Sequence, residues 1–353
     1  MHADIAPDEA RKRIFTLLYF LSDNYFRTTT IVHEPYLADL NKKTNIVFAA
    51  NHSGMSFPWD SLMTHAKLES ILGHQRELKS LSFSALSKTR LMSLFGLDRM
   101  WSHLCSNASF QNFDSLAANE KNVFIHPEGA EGLIKGFQKK YQLQKFSRSM
   151  IHICLKHDIP LVPISIVNAE YLHPYCYKLE CLNRVAKKIG LPFFPLSIAL
   201  VPLLLLPAIL YMVYPAKLYV VIEKSINLKS LISKKYEELS DAEIRILTEQ
   251  IQDLMQKNLL RNVDLYGKKP FDWLDFLKHA NQLGPDALRL IPLTWPWLFH
   301  FAQNGPLRFS KESFFSWFRS ILICTSQCWP IYGWPLYIFC LKIFPLKKKN
   351  QLF

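Results

Sequence analysis

Residues 45–54 read Asn-Ile-Val-Phe-Ala-Ala-Asn-His-Ser-Gly, an apolar run that stops at a polar turn. The apolar part is typical of a buried strand, so His52 lies where a strand gives way to a loop or helix. Residues 122–129 repeat this pattern as Asn-Val-Phe-Ile-His-Pro-Glu-Gly, and residues 160–167 form another apolar run that begins at a proline. These runs predict strands whose polar ends carry the chemistry of the molecule.

Segments with helical periodicity separate the strands. They cover residues 8–25, 61–72 and 147–157, and residues 240–262 form the clearest amphipathic stripe. A further strand is expected at residues 28–32. Strands that alternate with helices predict an α/β fold, with a mixed sheet and flanking helices.

The composition is apolar and basic. Of 353 residues, 49% are hydrophobic and 20% are charged, which excludes a disordered chain. The net charge of +13 favours an anionic partner, either nucleic acid or an anionic bilayer. The 25 Phe, 14 Tyr and 8 Trp favour the bilayer, because aromatic rings sit well at the level of the headgroups. We therefore expect a lipid bilayer as a partner and no nucleic acid.

The cysteines and the N-terminal segment bear on localisation. Seven scattered cysteines include no Cys-x-x-Cys, which indicates a reducing compartment. The first apolar run, residues 14–21, is short and lacks the cleavage site of a secretory signal. We expect a protein that works at a membrane, with its catalytic part on the cytoplasmic side.

His52 and Asp60 are the first candidates for catalysis. A neutral imidazole accepts a proton near working pH, and a carboxylate behind the ring fixes its tautomer and stabilises the imidazolium. The two residues can take these roles if the chain between them folds back. Taken alone, the pair fits a polar loop after a strand better than a catalytic site.

Four blocks in a fixed order give the pair its context. Asn51-His52 with Asp60 is followed, about 70 residues later, by Pro127-Glu128-Gly129. A basic, aromatic stretch at residues 139–148 and a proline-containing strand at residues 162–170 come next. This order resembles the glycerolipid acyltransferase family with its NHX4D and FPEG motifs, and most closely the bacterial branch. The resemblance covers roughly residues 10–266 and implies a glycerol-phosphate-acyltransferase-like fold.

The resemblance also implies a reaction. A fatty acyl group would pass from a thioester donor, acyl-CoA or acyl-ACP (the acyl carrier protein), to a hydroxyl of a lysophospholipid or glycerolipid. Transfer would be direct, with no acyl-enzyme, no metal and no cofactor. His52 would be the general base and Asp60 its orienting partner. Pro127, Glu128 and Gly129 would shape the acceptor site, with Glu128 binding a headgroup hydroxyl.

The sequence departs from the family pattern in its spacing and its basic residues. The first motif reads HX7D rather than HX4D. The Thr-Arg that commonly follows Pro-Glu-Gly is Ala130-Glu131 here, so the usual phosphate-binding arginine is missing. Either Lys135, Lys140 or Arg148 binds an acceptor phosphate, or the acceptor has none. His126 replaces a usual apolar residue and is expected to be a packed histidine rather than a second base.

Two uncharged runs of 21 residues suggest contact with lipid. Residues 194–214 and 321–341 are long enough to span a bilayer, but prolines interrupt both. The first run is interpreted as a buried or membrane-dipping segment. The second, followed by basic residues, is interpreted as an anchor that either spans or re-enters the membrane. The predicted organisation is a catalytic domain at residues 1–268 and an aromatic-rich, helical, membrane-associated extension at residues 269–353.

Two other functions fit parts of the sequence. A homologue that binds membranes but has lost transferase activity would explain the HX7D spacing. A serine hydrolase would use Ser53 or Ser56 with His52, but near-adjacent side chains on a turn rarely reach hydrogen-bond geometry. Thioester consumption that depends on a lipid alcohol distinguishes an acyltransferase from both.

Overall fold

The computed structural model describes residues 7–32, 45–54, 58–73, 76–82, 98–174, 176–177, 196–197 and 212–304, with the single positions 36, 184 and 322. The predicted anchor at residues 321–341 therefore lies outside the described residues apart from Leu322. Most of the uncharged run at residues 194–214 lies outside them too, as does Ser56.

Among the described residues, a sheet of seven strands forms the centre of the fold. The strands are β1 (Thr29–Val32), β2 (Val47–Ala50), β3 (Leu78–Ser82), β4 (Cys105–Asn107), β5 (Asn122–Ile125), β6 (Leu161–Val167) and β9 (Tyr219–Ile222). Their order in the sheet is β1-β9-β6-β2-β5-β3-β4. Neighbouring strands are parallel except β6 and β9, which are antiparallel. A separate antiparallel pair joins β7 (Cys176–Tyr177) and β8 (Leu196–Ser197).

Helices cover both faces of this sheet. They are α1 (Pro7–Asn24), α2 (Trp59–Leu72), α3 (Asp98–Leu104), α4 (Phe110–Ala118), α5 (Gly129–Leu133), α6 (Ser149–Lys156), α7 (Asp241–Tyr266), α8 (Trp273–Gln282) and α9 (Trp295–Asn304). Along β2, Phe48 and Ala50 join one hydrophobic cluster, which includes α1, α2 and α9. Val47 and Ala49 join the opposite cluster, which includes α4, α6 and α7. The predicted α/β class, with a mixed sheet and flanking helices, is thus confirmed.

Helix α2 begins earlier than the sequence pattern predicts. It starts at Trp59, directly after Pro58, so Asp60 lies in its first turn. A carboxylate is favoured there because the N-terminal end of a helix carries partial positive charge. The start of α2 therefore decides where the Asp60 side chain is held.

The core continues past residue 268, where the sequence placed a domain boundary. Trp295 in α9 is fully buried, and its ring lies 4.9 Å from that of Trp59. Phe299, one turn later, belongs to the same cluster. The division into residues 1–268 and 269–353 therefore does not follow a break in packing, because the aromatic residues of α9 complete the core beside α1 and α2. Among the residues that the structure describes, none of the helices is both long enough and apolar enough to cross a bilayer.

Candidate active site

The candidate site lies where β2 and β5 end side by side. The two strands are parallel and in register from Val47↔Val123 to Ala49↔Ile125, so the residues that follow them emerge at one edge of the sheet. Asn51 fixes this edge to β6. Its side-chain amide donates to the Ile166 carbonyl at 3.0 Å, and its Oδ1 accepts from the Ile166 amide at 2.7 Å.

His52 and Asp60 form a hydrogen-bonded pair in this position. The distance between His52 Nδ1 and Asp60 Oδ2 is 2.7 Å, and the Ser53 amide donates to the same oxygen at 2.9 Å. The Asp60 side chain is fully buried, whereas 10% of the His52 side chain is exposed. The HX7D spacing therefore closes into the geometry required of an imidazole and its orienting carboxylate.

The electrostatics of the pair favour an ionised carboxylate. Burial alone would raise the pKa of Asp60. Attraction to His52, with the hydrogen bonds from His52 and Ser53, outweighs burial and holds that pKa well below its usual range. The Asp60 carboxylate then accepts a hydrogen bond from Nδ1–H of His52, so Nε2 of the neutral ring is left as a proton acceptor.

Glu128 holds the backbone on both sides of the site. Its Oε1 accepts from the His52 amide at 2.8 Å, and its Oε2 accepts from the Gln144 amide at 2.6 Å. Gly132 of α5 packs against this side chain, and a Cβ there would lie 2.6 Å from the Glu128 Cβ. Each carboxylate oxygen keeps a second lone pair. Binding of an acceptor hydroxyl by Glu128 therefore stays a prediction. The motif did not reveal its structural role, which is to hold the backbone amides of His52 and Gln144.

Pro127 and Gly129 shape the turn that carries Glu128. The Pro127 carbonyl accepts from the Ser147 amide at 2.8 Å, which ties the turn to the segment before α6. Gly129 has a φ of +56° and begins α5. Residues with a Cβ rarely adopt this left-handed backbone conformation, so glycine is the favoured residue at this turn.

The three basic residues predicted to bind phosphate have different surroundings. The Lys135 side chain is fully buried, and its Nζ lies 3.3 Å from Glu170 Oε1. Lys140 is exposed and donates to the Tyr171 hydroxyl at 3.1 Å. Arg148 is half exposed and lies 3.5 Å from Asp241. Lys140 and Arg148 thus present charge to solvent, whereas the charge of Lys135 is enclosed with its partner.

His126 contacts the His52 ring. The two rings are stacked, with centroids 3.9 Å apart and planes inclined by 12°. Burial, with a smaller contribution from His52, lowers the pKa of His126 to about 3. The sequence predicted only a packed histidine at this position. Its place directly after β5 was the available signal, but the contact depends on β2 and β5 being neighbours.

His52, Asp60 and His126 also meet a geometric condition for holding a metal ion. Among the described residues, they offer one donor atom each within 4.8 Å of one another. Hydrogen bonds already engage the same groups. His52 Nδ1 is bonded to Asp60, and the His126 nitrogens contact the Asn51 carbonyl and the Ser61 hydroxyl.

Comparisons with known proteins agree with the motifs. Residues 32–167, which contain His52, Asp60 and the Pro-Glu-Gly turn, match the family model described as Acyltransferase. An uncharacterized protein of Mycobacterium tuberculosis is 26% identical over 182 residues, or 51% of this chain and 48% of that protein. One of Mycobacterium leprae is 27% identical over 174 residues, or 49% of this chain and 45% of that protein. The chain spans about half the length of these curated relatives.

A solved structure is also similar. It is the crystal structure of the 1-acyl-sn-glycerophosphate acyltransferase PlsC from Thermotoga maritima, with a TM-score of 0.40 and 15% identity. The similarity covers 70% of this chain and 79% of that one. The chain is thus similar to the Acyltransferase family over residues 32–167, which contain the motifs described above.

Proposed function

We propose that this protein transfers a fatty acyl group from a thioester donor, acyl-CoA or acyl-ACP, to a hydroxyl of a lysophospholipid or glycerolipid. The observation that carries the proposal is the 2.7 Å contact between His52 Nδ1 and Asp60 Oδ2 inside the family's first motif. A drifted, inactive homologue was the main alternative because of the HX7D spacing. The closed pair removes that reason for preferring it.

The mechanism uses His52 as a general base. Nε2 of His52 takes the proton of the acceptor hydroxyl while the oxygen attacks the thioester carbonyl. The tetrahedral intermediate then expels the thiolate, which receives the proton from the imidazolium. The ester, the free thiol and the neutral histidine are the products. Asp60 stabilises the imidazolium through Nδ1 and remains ionised throughout. No acyl-enzyme, metal or cofactor takes part.

Exposed cations on the stretch after the Pro-Glu-Gly turn support an acceptor that carries a phosphate. Lys140 lies on the stretch after the Pro-Glu-Gly turn, with its Nζ 5.2 Å from the ring centre of Phe137 and 5.3 Å from that of Tyr171. Arg148 lies at the start of α6. We assign Lys140 and Arg148 to the acceptor phosphate rather than Lys135, because the charge of Lys135 is already paired with Glu170.

An apolar surface on α8 supports association with a bilayer. Trp273, Leu274 and Leu277 are all exposed, Leu274 to 75% of its surface. Their spacing places them on one side of the helix. The net charge of +13 would attract this surface to an anionic cytoplasmic leaflet. We propose that α8 lies against the lipid while the site receives its acceptor from the membrane.

The assay that tests this function supplies both substrates to the purified full-length chain. Acyl-CoA or acyl-ACP is offered with and without lysophospholipid, lysophosphatidate, or diacylglycerol in mixed micelles. We expect thiol release that depends on the lipid alcohol, together with an acylated lipid detected by mass spectrometry. Thiol release with water as the acceptor would favour a hydrolase. A folded protein that consumes no donor with any acceptor would favour the inactive homologue.

A further inference from the structure

His126 holds a face of the His52 ring while Asp60 holds its edge. The centroid distance of 3.9 Å and the inclination of 12° leave no room between the two imidazoles for water or another side chain. Phe124 meets His126 edge-on, with ring centroids 4.9 Å apart. The orientation of the His52 ring is therefore restricted by stacking on His126 as well as by its hydrogen bond to Asp60.

The hydrogen bonds of His126 assign its tautomer. Its Nδ1 lies 3.0 Å from the Asn51 carbonyl oxygen, which can only accept, so Nδ1 carries the proton. Its Nε2 lies 2.7 Å from Ser61 Oγ and accepts from that hydroxyl. The neutral His126 ring thus makes a hydrogen bond with each of its nitrogens, and these two bonds hold it in one orientation. Burial favours the same neutral form by lowering the pKa of His126. A neutral neighbour suits His52, because a second positive charge would oppose formation of the imidazolium.

The partners of His126 adjoin the two members of the pair. Asn51 precedes His52, and Ser61 follows Asp60 in the first turn of α2. His126 therefore links the two ends of the segment between His52 and Asp60. That segment has seven intervening residues where the family motif has four, and a longer connection leaves its ends more freedom.

We propose that His126 is a positioning residue for His52, which fixes the plane of the base by ring stacking and ties together both ends of the extended HX7D segment through Asn51 and Ser61. The proposal rests on the proposed function, since it takes His52 as the base. It assigns no proton transfer to His126. A flat ring at position 126 is the required feature, and the bond to Ser61 keeps that ring in register with the pair.

The test compares His126→Leu, His126→Phe and Ser61→Ala with the wild type. His157→Leu is the control, since His157 is a partly buried histidine whose ring bonds the Asp114 carboxylate. The readouts are kcat, KM and the downfield Nδ1 proton resonance of His52 in histidine-labelled protein, assigned by its absence in His52→Ala.

We expect His126→Leu to lower kcat by about 10- to 100-fold, with KM within about twofold, and to broaden or remove the His52 resonance. His126→Phe keeps the flat ring but loses the hydrogen bonds to Asn51 and Ser61, so it should recover both signals only in part. Ser61→Ala should give an intermediate loss. Wild-type kcat in folded His126→Leu would overturn the proposal, as would a folded His126→Phe that is as impaired as His126→Leu.

The Nδ1 proton resonance of His52 tests the positioning role independently of the proposed function, because it can be measured without acyl transfer. If the wild type transfers no acyl group, the proposed function fails, and the His52 signal still decides whether position 126 holds the ring. An unchanged signal in His126→Leu contradicts the positioning role. If the variants at position 126 do not fold, Ser61→Ala decides, because it removes only a hydroxyl group. Unchanged kcat and resonance in that variant would overturn the proposal.

Discussion

At the residue scale, the site depends on carboxylates that are buried beside a specific partner. Asp60 is held against His52 and the Ser53 amide, and Glu128 against the amides of His52 and Gln144. An ionised carboxylate is tolerated in such places because hydrogen bonds and nearby positive charge replace its hydration. The two acids thus fix the side chain and the backbone of His52 separately.

Replacing Asp60 with asparagine tests its part in this arrangement. The asparagine side chain has almost the same shape but cannot stabilise an imidazolium, and its amide group can bind the wrong tautomer of His52. We expect Asp60→Asn to lower kcat by about 10²–10⁴-fold with little change in KM for the donor. Steady-state kinetics with both substrates measure this. Asp114→Asn is the matched control, because Asp114 pairs with His157 at 2.7 Å on the surface. Equal, small effects in the two variants would remove Asp60 from the mechanism.

The sequence predicts the identity of the site residues better than their contacts. The strand ends and motifs point to His52, Asp60 and Glu128 because residue type and local spacing are visible in one dimension. The stacking of His126 and the enclosure of Lys135 are not visible, since both depend on which strands are neighbours. The contacts of Glu128 with two backbone amides depend likewise on tertiary packing.

At the scale of elements, the apolar runs at β2, β5 and β6 predict their strands to within three residues. These strands are predictable because both of their faces are buried, which requires a continuous apolar sequence. The order of the strands in the sheet could not be predicted. Strand β9 inserts between β1 and β6 and is antiparallel to β6, and nothing local in a four-residue strand specifies that position.

The buried pair of Lys135 and Glu170 joins the chain after α5 to the end of β6. Burial raises the pKa of Glu170, and Lys135 opposes that effect. We expect Lys135→Met to lower the free energy of unfolding by about 3–5 kcal/mol, because it leaves Glu170 buried without its cation. Lys135→Met combined with Glu170→Gln should recover much of the loss, since the amide oxygen still accepts from the Tyr141 amide. Urea unfolding of the three proteins measures this. A double variant no more stable than the single one would show that the pair is not the cause.

Helix α8 is the element predicted to contact lipid. Leu274→Glu with Leu277→Glu should weaken flotation with anionic vesicles, because two charges would enter the apolar boundary. Transfer to micelle-dispersed acceptor should persist, since neither residue belongs to the candidate site. Leu254→Glu with Leu265→Glu on α7 is the control, as both leucines are exposed outside α8. Flotation that survives the α8 changes, or falls equally with the control, would contradict this assignment.

At the scale of the whole molecule, buried neutral histidines couple stability to pH. Burial lowers the pKa of His65 and His126 to about 3 and that of His173 to about 4, from an ordinary value of 6.5. As pH falls below about 6.5, the unfolded chain therefore binds more protons than the folded one, and the folded state loses stability. The lowered pKa of Asp60 adds to this loss at lower pH, whereas the raised pKa of Glu170 opposes it.

We therefore expect the free energy of unfolding to fall between pH 6.5 and 5, with a slope that approaches about 1.4 kcal/mol per pH unit for each of these histidines as the pH nears 5. Urea titrations at intervals from pH 8 to 5 measure the slope. His65→Gln removes one titrating group and should make the slope shallower. A free energy that stays constant over this range, or a slope unchanged in His65→Gln, would show that these histidines are not buried in their neutral form.

If His52 is the base of an acyl transfer reaction, its replacement by alanine must remove most of the turnover. The measurement is kcat for thioester-dependent acylation of a lipid hydroxyl, in wild type, His52→Ala and the surface control His157→Ala, with folding verified by circular dichroism. We predict a loss of about 10²–10⁴-fold for His52→Ala and wild-type turnover for His157→Ala. Wild-type turnover by a folded His52→Ala protein would contradict it.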